Sequence, residues 1–358
     1  MTERIPCAVL GASGYIGQHF VRLLATHPQF ELTTLTASDR SSGRRLEEVW
    51  QLPEPPAEGL GARRFVSTSP RRLAREGVRI AFSALPSEAA GPLETTACRE
   101  GLTVFSNASA HRLDARVPLL IPEVNADHLS LIVPSRRARG FLVSNPNCTT
   151  TGLALALKPV LALLAPRVVH VATYQALSGA GYPGVASLSI TDNVIPFIPG
   201  EEEKVAVETA KILGQRTGTH VTPASVPCLA TCVRVAVRDG HLEAVSVEAR
   251  RRPTLTQLRR AWENFDPLGD LGLPSAPHPP VLLRGEADRP QPLRDRWAGS
   301  SERSRGMAVV VGRIRWNPPF LRFILLSHNA VRGGAGGSVL NAELSRARGL
   351  LPTAGGRG

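Results

Sequence analysis

The sequence predicts an α/β protein in two parts: a doubly wound parallel sheet, then an α+β domain built on a mainly antiparallel sheet. Three observations carry this expectation. The chain opens with a strand, a glycine-rich turn, a helix and a second strand. Strands and helices keep alternating as far as residue 147, as they do where helices cover both faces of a parallel sheet. After residue 148 come long runs of alternating apolar and polar residues, the pattern of antiparallel strands with one solvated face. A length of 358 residues is enough for two cores.

Residues 5–10 form an apolar strand, and the turn after it reads Gly11-Ala12-Ser13-Gly14-Tyr15-Ile16-Gly17. Helical periodicity follows over 18–25 and stops at His27-Pro28; residues 31–37 are the second strand. This is the setting of a Rossmann-type dinucleotide fingerprint. Its glycines let a pyrophosphate approach the backbone, and the helix N-terminus receives the charge. The spacing is GxxGxxG rather than GxGxxG. The loop after the second strand runs Ser38-Asp39-Arg40-Ser41-Ser42-Gly43-Arg44-Arg45. Its three arginines and hydroxyls suit a 2′-phosphate and favour NADP(H), while Asp39 leaves NAD open.

Further strands are expected at 78–85, 103–106, 118–121 and 140–144, with a helix over 87–100 capped by Ser87. The second part offers strands at 167–177, 220–237 and 241–250, the last two joined by the hairpin signal Arg238-Asp239-Gly240. A helix covers 201–213. Strands 307–315 and 320–327 pair across Asn317-Pro318-Pro319, and a helix over 338–348 packs back on the first domain. The expected division is a cofactor domain at 1–147, completed by 329–350, and a catalytic and dimerisation domain at 148–328. Residues 284–306 read as a long exposed loop, and 352–358 as a disordered tail.

The chemistry centres on Ser144-Asn145-Pro146-Asn147-Cys148-Thr149-Thr150. A strand stops here and an apolar helix begins at about 149–164. Pro146 holds Asn145 extended. Cys148 therefore sits at or beside a helix N-terminus, where unpaired N–H groups and the dipole favour a thiolate and an oxyanion. His241 opens a strand after the Asp-Gly turn. With a two-residue turn, position 238 faces 241 and Arg234 shares that face, so Arg234 and His241 project together as an acid/base beside a carboxylate fork. Glu208 and Lys211, three apart, share one helix face.

Composition excludes other classes. The net charge is +12, but only three residues are lysine, and the arginines are scattered in groups at 71–72, 136–137, 250–252 and 294–305 with no stacking aromatics. Nucleic acid is not the expected partner. No apolar run reaches membrane length, and the first strand starts almost at once, so the expected location is cytoplasmic. Five scattered cysteines make neither a disulfide framework nor a metal site.

The motifs GASGYIG (11–17), FSALPS (82–87), SNASAHR (106–112), SNPNCTT (144–150), DNVIPFIPGEEEK (192–204), ETAKILG (208–214), CVRVAVRDGHLE (232–243) and HNAVRGGAGGSVLNAE (328–343) together resemble the aspartate-β-semialdehyde dehydrogenases of archaea and fungi. The resemblance runs almost end to end. It implies reductive dephosphorylation of L-aspartyl-4-phosphate by NADPH, giving L-aspartate-4-semialdehyde and phosphate. Cys148 becomes the thioester-forming nucleophile, His241 the acid/base, and Gln175 a group that positions the carbonyl. Arg234 takes the α-carboxylate and Glu208 the ammonium; Arg112, Lys211 and Asn147 are phosphate contacts. Gly11, Ser13, Gly14, Tyr15 and Ile16 lie under the pyrophosphate, and Ser38, Arg40 and Ser41 near the adenosine phosphate. Ser83 and Leu85 follow the third strand; Ser178, Gly179, Gly181 and Asn329 lie near the nicotinamide. The family also implies a homodimer or homotetramer. The sequence is similar, too, to malonyl-CoA reductase, notably at Arg296-Trp297-Ala298-Gly299 and in SGAGYPG. That acyl-CoA reductase and a non-catalytic NADP-binding module are the alternatives.

Overall fold

The computed structural model describes residues 3–132 and 140–351. The arginine pair at 136–137 and the tail at 352–358 lie outside the described residues. The chain divides into two compact units, residues 1–120 with 127–145 and 335–358, and residues 121–126 with 146–334.

The first unit is built on a six-stranded parallel sheet in the order β3-β2-β1-β4-β5-β6. The strands are β1 (Ile5–Leu10), β2 (Phe30–Ala37), β3 (Val66–Ser67), β4 (Ile80–Ser83), β5 (Thr103–Ser106) and β6 (Leu142–Ser144). The order reverses direction beside β1, as in a doubly wound fold. Cys7, Ala8, Val9 and Leu10 of β1 are fully buried, which a central strand covered on both faces requires.

Helix α1 (Tyr15–Leu24) begins three residues before the sequence periodicity suggested. The glycine turn explains its tight start. A Cβ on Gly17 would lie 2.1 Å from the Gly11 carbonyl oxygen, and Gly11 holds φ +74. Helix α2 is Pro70–Arg75 and α3 is Ser87–Arg99. Ser87 does not cap α3. Pro86 is the N-cap, and Ser87 Oγ pairs with Ser109 Oγ at 2.8 Å. Nor is 118–121 a strand, since only Leu119 bridges to Ser144.

In the second unit, α4 (Pro122–Asn125) precedes the long helix α5 (Cys148–Leu164). Its six-stranded sheet runs β10-β7-β11-β14-β13-β12 and is mixed, mostly antiparallel. The members are β7 (Pro166–Gln175), β10 (Cys228–Arg234), β11 (His241–Ala249), β12 (Val281–Leu283), β13 (Val309–Asn317) and β14 (Phe320–Ser327). A separate hairpin joins β8 (Gln215–Thr217) and β9 (His220–Thr222). The expected strand at 220–237 is thus two strands, separated where Pro223 and Pro227 remove backbone donors.

The expected hairpin at Asp239-Gly240 is a turn but not a hairpin. β7 lies between β10 and β11, parallel to the first and antiparallel to the second. After β10 the chain keeps following the end of β7, with Val235 N–H bonded to the Gln175 carbonyl and Leu177 N–H to that of Val237. Gly240 then reverses it at φ +101. An Asp-Gly pair marks a turn; it does not say which strand lies beside it.

Helices α6 (Ser187–Ile190), α7 (Glu201–Ile212), α8 (Leu255–Glu263) and α9 (Pro292–Asp295) complete this unit. The segment 284–306 is not simply an exposed loop. Asp295, 2% exposed, accepts bonds from Arg284, Arg289 and the Gln291 amide. Trp297 lies 4.4 Å from the His328 ring, and Arg305 stacks over Trp297. Pro292 and Arg296 pack against Gly240.

The last helix, α10 (Gly336–Ala347), belongs to the first unit, where it packs on α1 and β5. His27 Nε2 meets Glu343 Oε1 there at 2.9 Å, both side chains buried.

Candidate active site

The site is built from the first turn of α5. Asn147 is its N-cap, and its Oδ1 accepts the amides of Thr149 and Thr150 at 2.9 and 3.2 Å. Two of the orphan donors at the helix start are thereby met. Cys148 is the first helical residue, half-buried. Its Sγ lies 3.1 Å from His241 Nε2.

His241 is fully buried at the start of β11. Its Nδ1 accepts the Ala176 backbone N–H at 3.1 Å. Burial first, then the charge of Arg234 and proximity to His328, lower its pKa to about 3. The ring is therefore neutral near pH 7.

Arg234 does come next to His241, by a route other than the one expected. It ends β10, on the far side of β7, where it pairs with Gln175. Its Nη1 donates to the Ala176 carbonyl at 2.7 Å. Gly179, in the turn at Leu177–Ala180, lies between the two functional groups. A Cβ there would meet Arg234 Nη1 at 2.8 Å and His241 Cε1 at 3.1 Å. Asn329 ties the same turn down, donating to Ser178 Oγ and accepting Gly240 N–H, each at 2.8 Å. Gly181 follows at φ +70.

Helix α7 supplies the carboxylates. Glu208 is 2% and Lys211 8% exposed, so their shared face is buried and is not a surface ion pair. Glu208 Oε2 accepts the Asn147 backbone N–H at 2.6 Å. Glu201 Oε1 accepts Asn147 Nδ2 at 2.8 Å and Gln175 Nε2 at 3.2 Å. Asn147, expected at a phosphate, thus spends much of its bonding capacity orienting Cys148.

Sequence reasoning missed three parts of this site. Glu201 is one; only its place in an acidic first turn marked it. Gly333 is another, since a Cβ there would come 2.6 Å from Cys148 Cβ. The third is the buried bidentate pair of Arg332 and Glu123, with bonds of 2.7 and 2.6 Å, which anchors the segment carrying Gly333.

The other predicted residues belong to the first unit. Gly11, Ser13, Gly14, Tyr15 and Ile16 form the turn and first residues of α1, with Gly14 exposed and extended at the N-cap. Ser38 and Arg40 are exposed and Ser41 half-buried in the loop after β2. In that loop Arg44 pairs with Glu48 and Arg45 with Glu47. Ser83 ends β4 and Leu85 follows it. Arg112 Nη2 donates to the Asn107 carbonyl at 2.8 Å. A glycine cradle, an open helix start and basic residues after β2 fit a phosphorylated dinucleotide.

Two family models match the chain. Residues 6–132 match the family model "Semialdehyde dehydrogenase, NAD binding domain", and 157–332 match "Semialdehyde dehydrogenase, dimerisation domain". An Archaeoglobus fulgidus aspartate-semialdehyde dehydrogenase is 47% identical over 95% of this chain and 98% of its own. The chain belongs to the aspartate-semialdehyde dehydrogenase family. A Candida albicans aspartate-semialdehyde dehydrogenase solved with NADP superposes with a TM-score of 0.88 at 33% identity, covering 98% of this chain and all of that one. A Metallosphaera sedula malonyl-CoA reductase (NADP) is 38% identical over 98% of this chain and 99% of its own. As an aspartate-semialdehyde dehydrogenase family member, the chain carries its glycine turn in the cofactor match and Gln175, Glu208, Arg234 and His241 in the dimerisation match. Among the described residues there is no cluster able to hold a metal ion, and no helix long and apolar enough to cross a membrane.

Proposed function

We propose that this chain reduces L-aspartyl-4-phosphate to L-aspartate-4-semialdehyde and phosphate with NADPH, through a thioester on Cys148. The observation that carries the reading is Cys148 on the first turn of a capped helix, 3.1 Å from His241 Nε2. Cys148 attacks the acyl carbon and displaces phosphate. The positive end of the α5 dipole, at whose first residue Cys148 sits, favours the negative charge developed there. Arg234 holds the substrate α-carboxylate with its guanidinium fork, and Glu208 receives the ammonium. Gln175, fixed by Glu201, orients the carbonyl; Lys211, Asn147 and Arg112 serve the phosphate. NADPH, when bound, supplies the hydride that brings the thioester to the aldehyde level. Gly11 to Ile16, Ser83, Leu85, Ser178, Gly179, Gly181 and Asn329 are assigned to the cofactor, and Ser38, Arg40 and Ser41 to its 2′-phosphate. The relative solved with NADP supports that choice over NAD.

Malonyl-CoA reduction is the second reading, favoured by the Metallosphaera sedula relative. A malonyl thioester carries no ammonium for Glu208 to receive. The deciding experiment follows NADPH formation from NADP, phosphate and L-aspartate-4-semialdehyde, with Cys148→Ser alongside. Phosphate-dependent turnover, lost in the variant, is expected. No turnover, together with NADPH oxidation on malonyl-CoA, would sink the proposal. We also propose a homodimer formed through the solvent-facing side of the second-unit sheet, where Tyr174 is 42% and Leu229 55% exposed.

A further inference from the structure

Cys148 and His241 are one of two matched pairs between α5 and β11. Cys148 Sγ lies 3.1 Å from His241 Nε2. One helix turn further on, Gly152 faces Glu243, two residues further along the strand. Four helical residues advance about 6 Å and two strand residues about 6.7 Å, so helix and strand keep step over this stretch. A Cβ on Gly152 would lie 2.9 Å from Ser327 Cβ and 3.2 Å from both Glu243 Oε1 and Leu325 Cδ1. Those three groups ring a notch that only glycine fits. Ser327 is the β14 residue paired with His241, and Leu325 the one paired with Glu243. Beyond the notch the same sheet face turns apolar at Val245 and Phe323. An apolar face attracts a helix without fixing its place along the strands, because burial is non-directional. The notch does fix it.

We propose that Glu243 is a positioning residue for the thioester reaction: with Gly152 it sets how far α5 lies along β11, and so holds Cys148 Sγ against His241. This deepens the reading above and rests on it. Packing alone does not ask for an acid here. Thr173, Glu243 and Leu325 form one row across the sheet, all fully buried. Neither carboxyl oxygen of Glu243 has a hydrogen-bond partner among the described residues. Such a group costs stability that an aliphatic side chain would not. An aliphatic end is branched and thick, however, whereas a carboxyl is planar and can lie flat beneath a helix backbone. Ser327 Oγ, the other polar atom at the notch, is likewise buried and without a partner among the described residues. The seat is therefore made by shape and not by hydrogen bonds.

The seat works uncharged. The titratable groups around Glu243 are Cys148 on α5, His241 on its own strand, Glu201 from α7, and Cys228 and Cys232 from β10. β7 and β14 present Thr173, Leu325 and Ser327. None of these is a cation near neutral pH, since His241 is neutral there. Burial and the Glu201 charge keep the proton on Glu243. An anion at Oε1 would stand one turn along α5 from Cys148 and oppose the thiolate that the helix dipole favours. What the position requires is the length and flat end of glutamate, which glutamine shares, and not its charge.

The test compares Glu243→Gln, Glu243→Ala and Gly152→Ala in the full-length protein. Glutamine is expected to keep most of the parent kcat. Alanine at 243 removes the seat, and alanine at 152 pushes the helix off it. Each alanine variant is expected to lower kcat by about 10²-fold, the scale of a misplacement near 1 Å, with a smaller change in KM. A second readout needs no turnover: the pH dependence of Cys148 alkylation by iodoacetamide, followed by peptide mass spectrometry. Its midpoint is expected to be shared by the parent and Glu243→Gln, and to move toward the value of about 8.5 of an ordinary thiol in both alanine variants. A kcat loss in Glu243→Gln as large as in Glu243→Ala would show that the acid itself is used and overturn the inference. Parent-like kcat and alkylation in both alanine variants would overturn it too. Gly152→Ala leaves Glu243 in place, so it decides the matter if Glu243→Ala does not fold. A shifted alkylation midpoint in a protein that ignores aspartate semialdehyde leaves the seat standing and removes the proposed function; an active enzyme indifferent to both alanine substitutions does the reverse.

Discussion

Glu243 lies two residues beyond His241 on β11, fully buried, and neither carboxyl oxygen has a hydrogen-bond partner among the described residues. A Cβ on Gly152 of α5 would sit 3.2 Å from Oε1, so the acid is wedged beneath the cysteine helix. Burial, and then the charge of Glu201, push its pKa well above the carboxylate range. The fold therefore keeps a proton that the unfolded chain releases above its ordinary carboxyl pKa. Stability falls as pH rises, by up to about 1.4 kcal/mol per pH unit until the folded group also ionises. Urea unfolding of Glu243→Gln is expected to show a flatter dependence between about pH 5 and 8 than the parent, and an unchanged slope would refute it. Strand alternation places Glu243 on the same face as His241, but nothing in the sequence shows that this face is buried or that the acid lacks a partner. Cys148 was legible for a local reason: Asn-Pro-Asn followed by threonines spells a helix start. Gly333 was not, because the need for glycine arises from Cys148, which is distant in sequence.

Helix α7 is the element whose role exceeds its sequence signal. Three of its glutamates accept bonds from other segments: Glu201 from Asn147 and Gln175, Glu202 from the Cys232 amide, and Glu208 from the Asn147 amide. It holds the cysteine loop and the end of β7 in fixed register. Glu201→Ala is expected to lower kcat by about 10²-fold through misplacement of the reacting groups, with a smaller change in KM. Glu201→Gln, which keeps an acceptor oxygen, should recover most of it. A rise in KM alone, or no rescue, would show that charge rather than position matters. Periodicity alone puts Glu208 and Lys211 on one face but gives no hint that Glu201 and Glu202 meet polar partners from other segments. The neighbouring strands show a related limit of pattern. Alternation and Asp-Gly located β10, β11 and the turn, whereas the place of β7 between them depends on a pairing across more than fifty residues.

At the level of the molecule, composition and motif order were enough for the architecture of each unit. The glycine turn and the alternation identify the parallel sheet, and the long alternating strands identify the mixed one. In the mixed sheet α5 and α8 cover the side bearing Val169, Val171, Val245 and Val247, all nearly inaccessible. The opposite side carries Tyr174 and Leu229 in the open. Light scattering is expected to give twice the chain mass, and Tyr174→Asp is expected to shift it toward the monomer. A monomeric parent would remove the dimer proposal, and a wholly unaffected variant would move the interface elsewhere.

The donor that fixes His241 belongs to the main chain at Ala176, so exchanging side chains there leaves it in place. Systematic alanine replacement would pass over it without a trace, and natural variation at residue 176 would be silent about it. Only an edit to the peptide link itself reaches it. Replacing that amide by an ester through chemical ligation would delete one hydrogen, keep every side chain, and remove the bond that holds the ring.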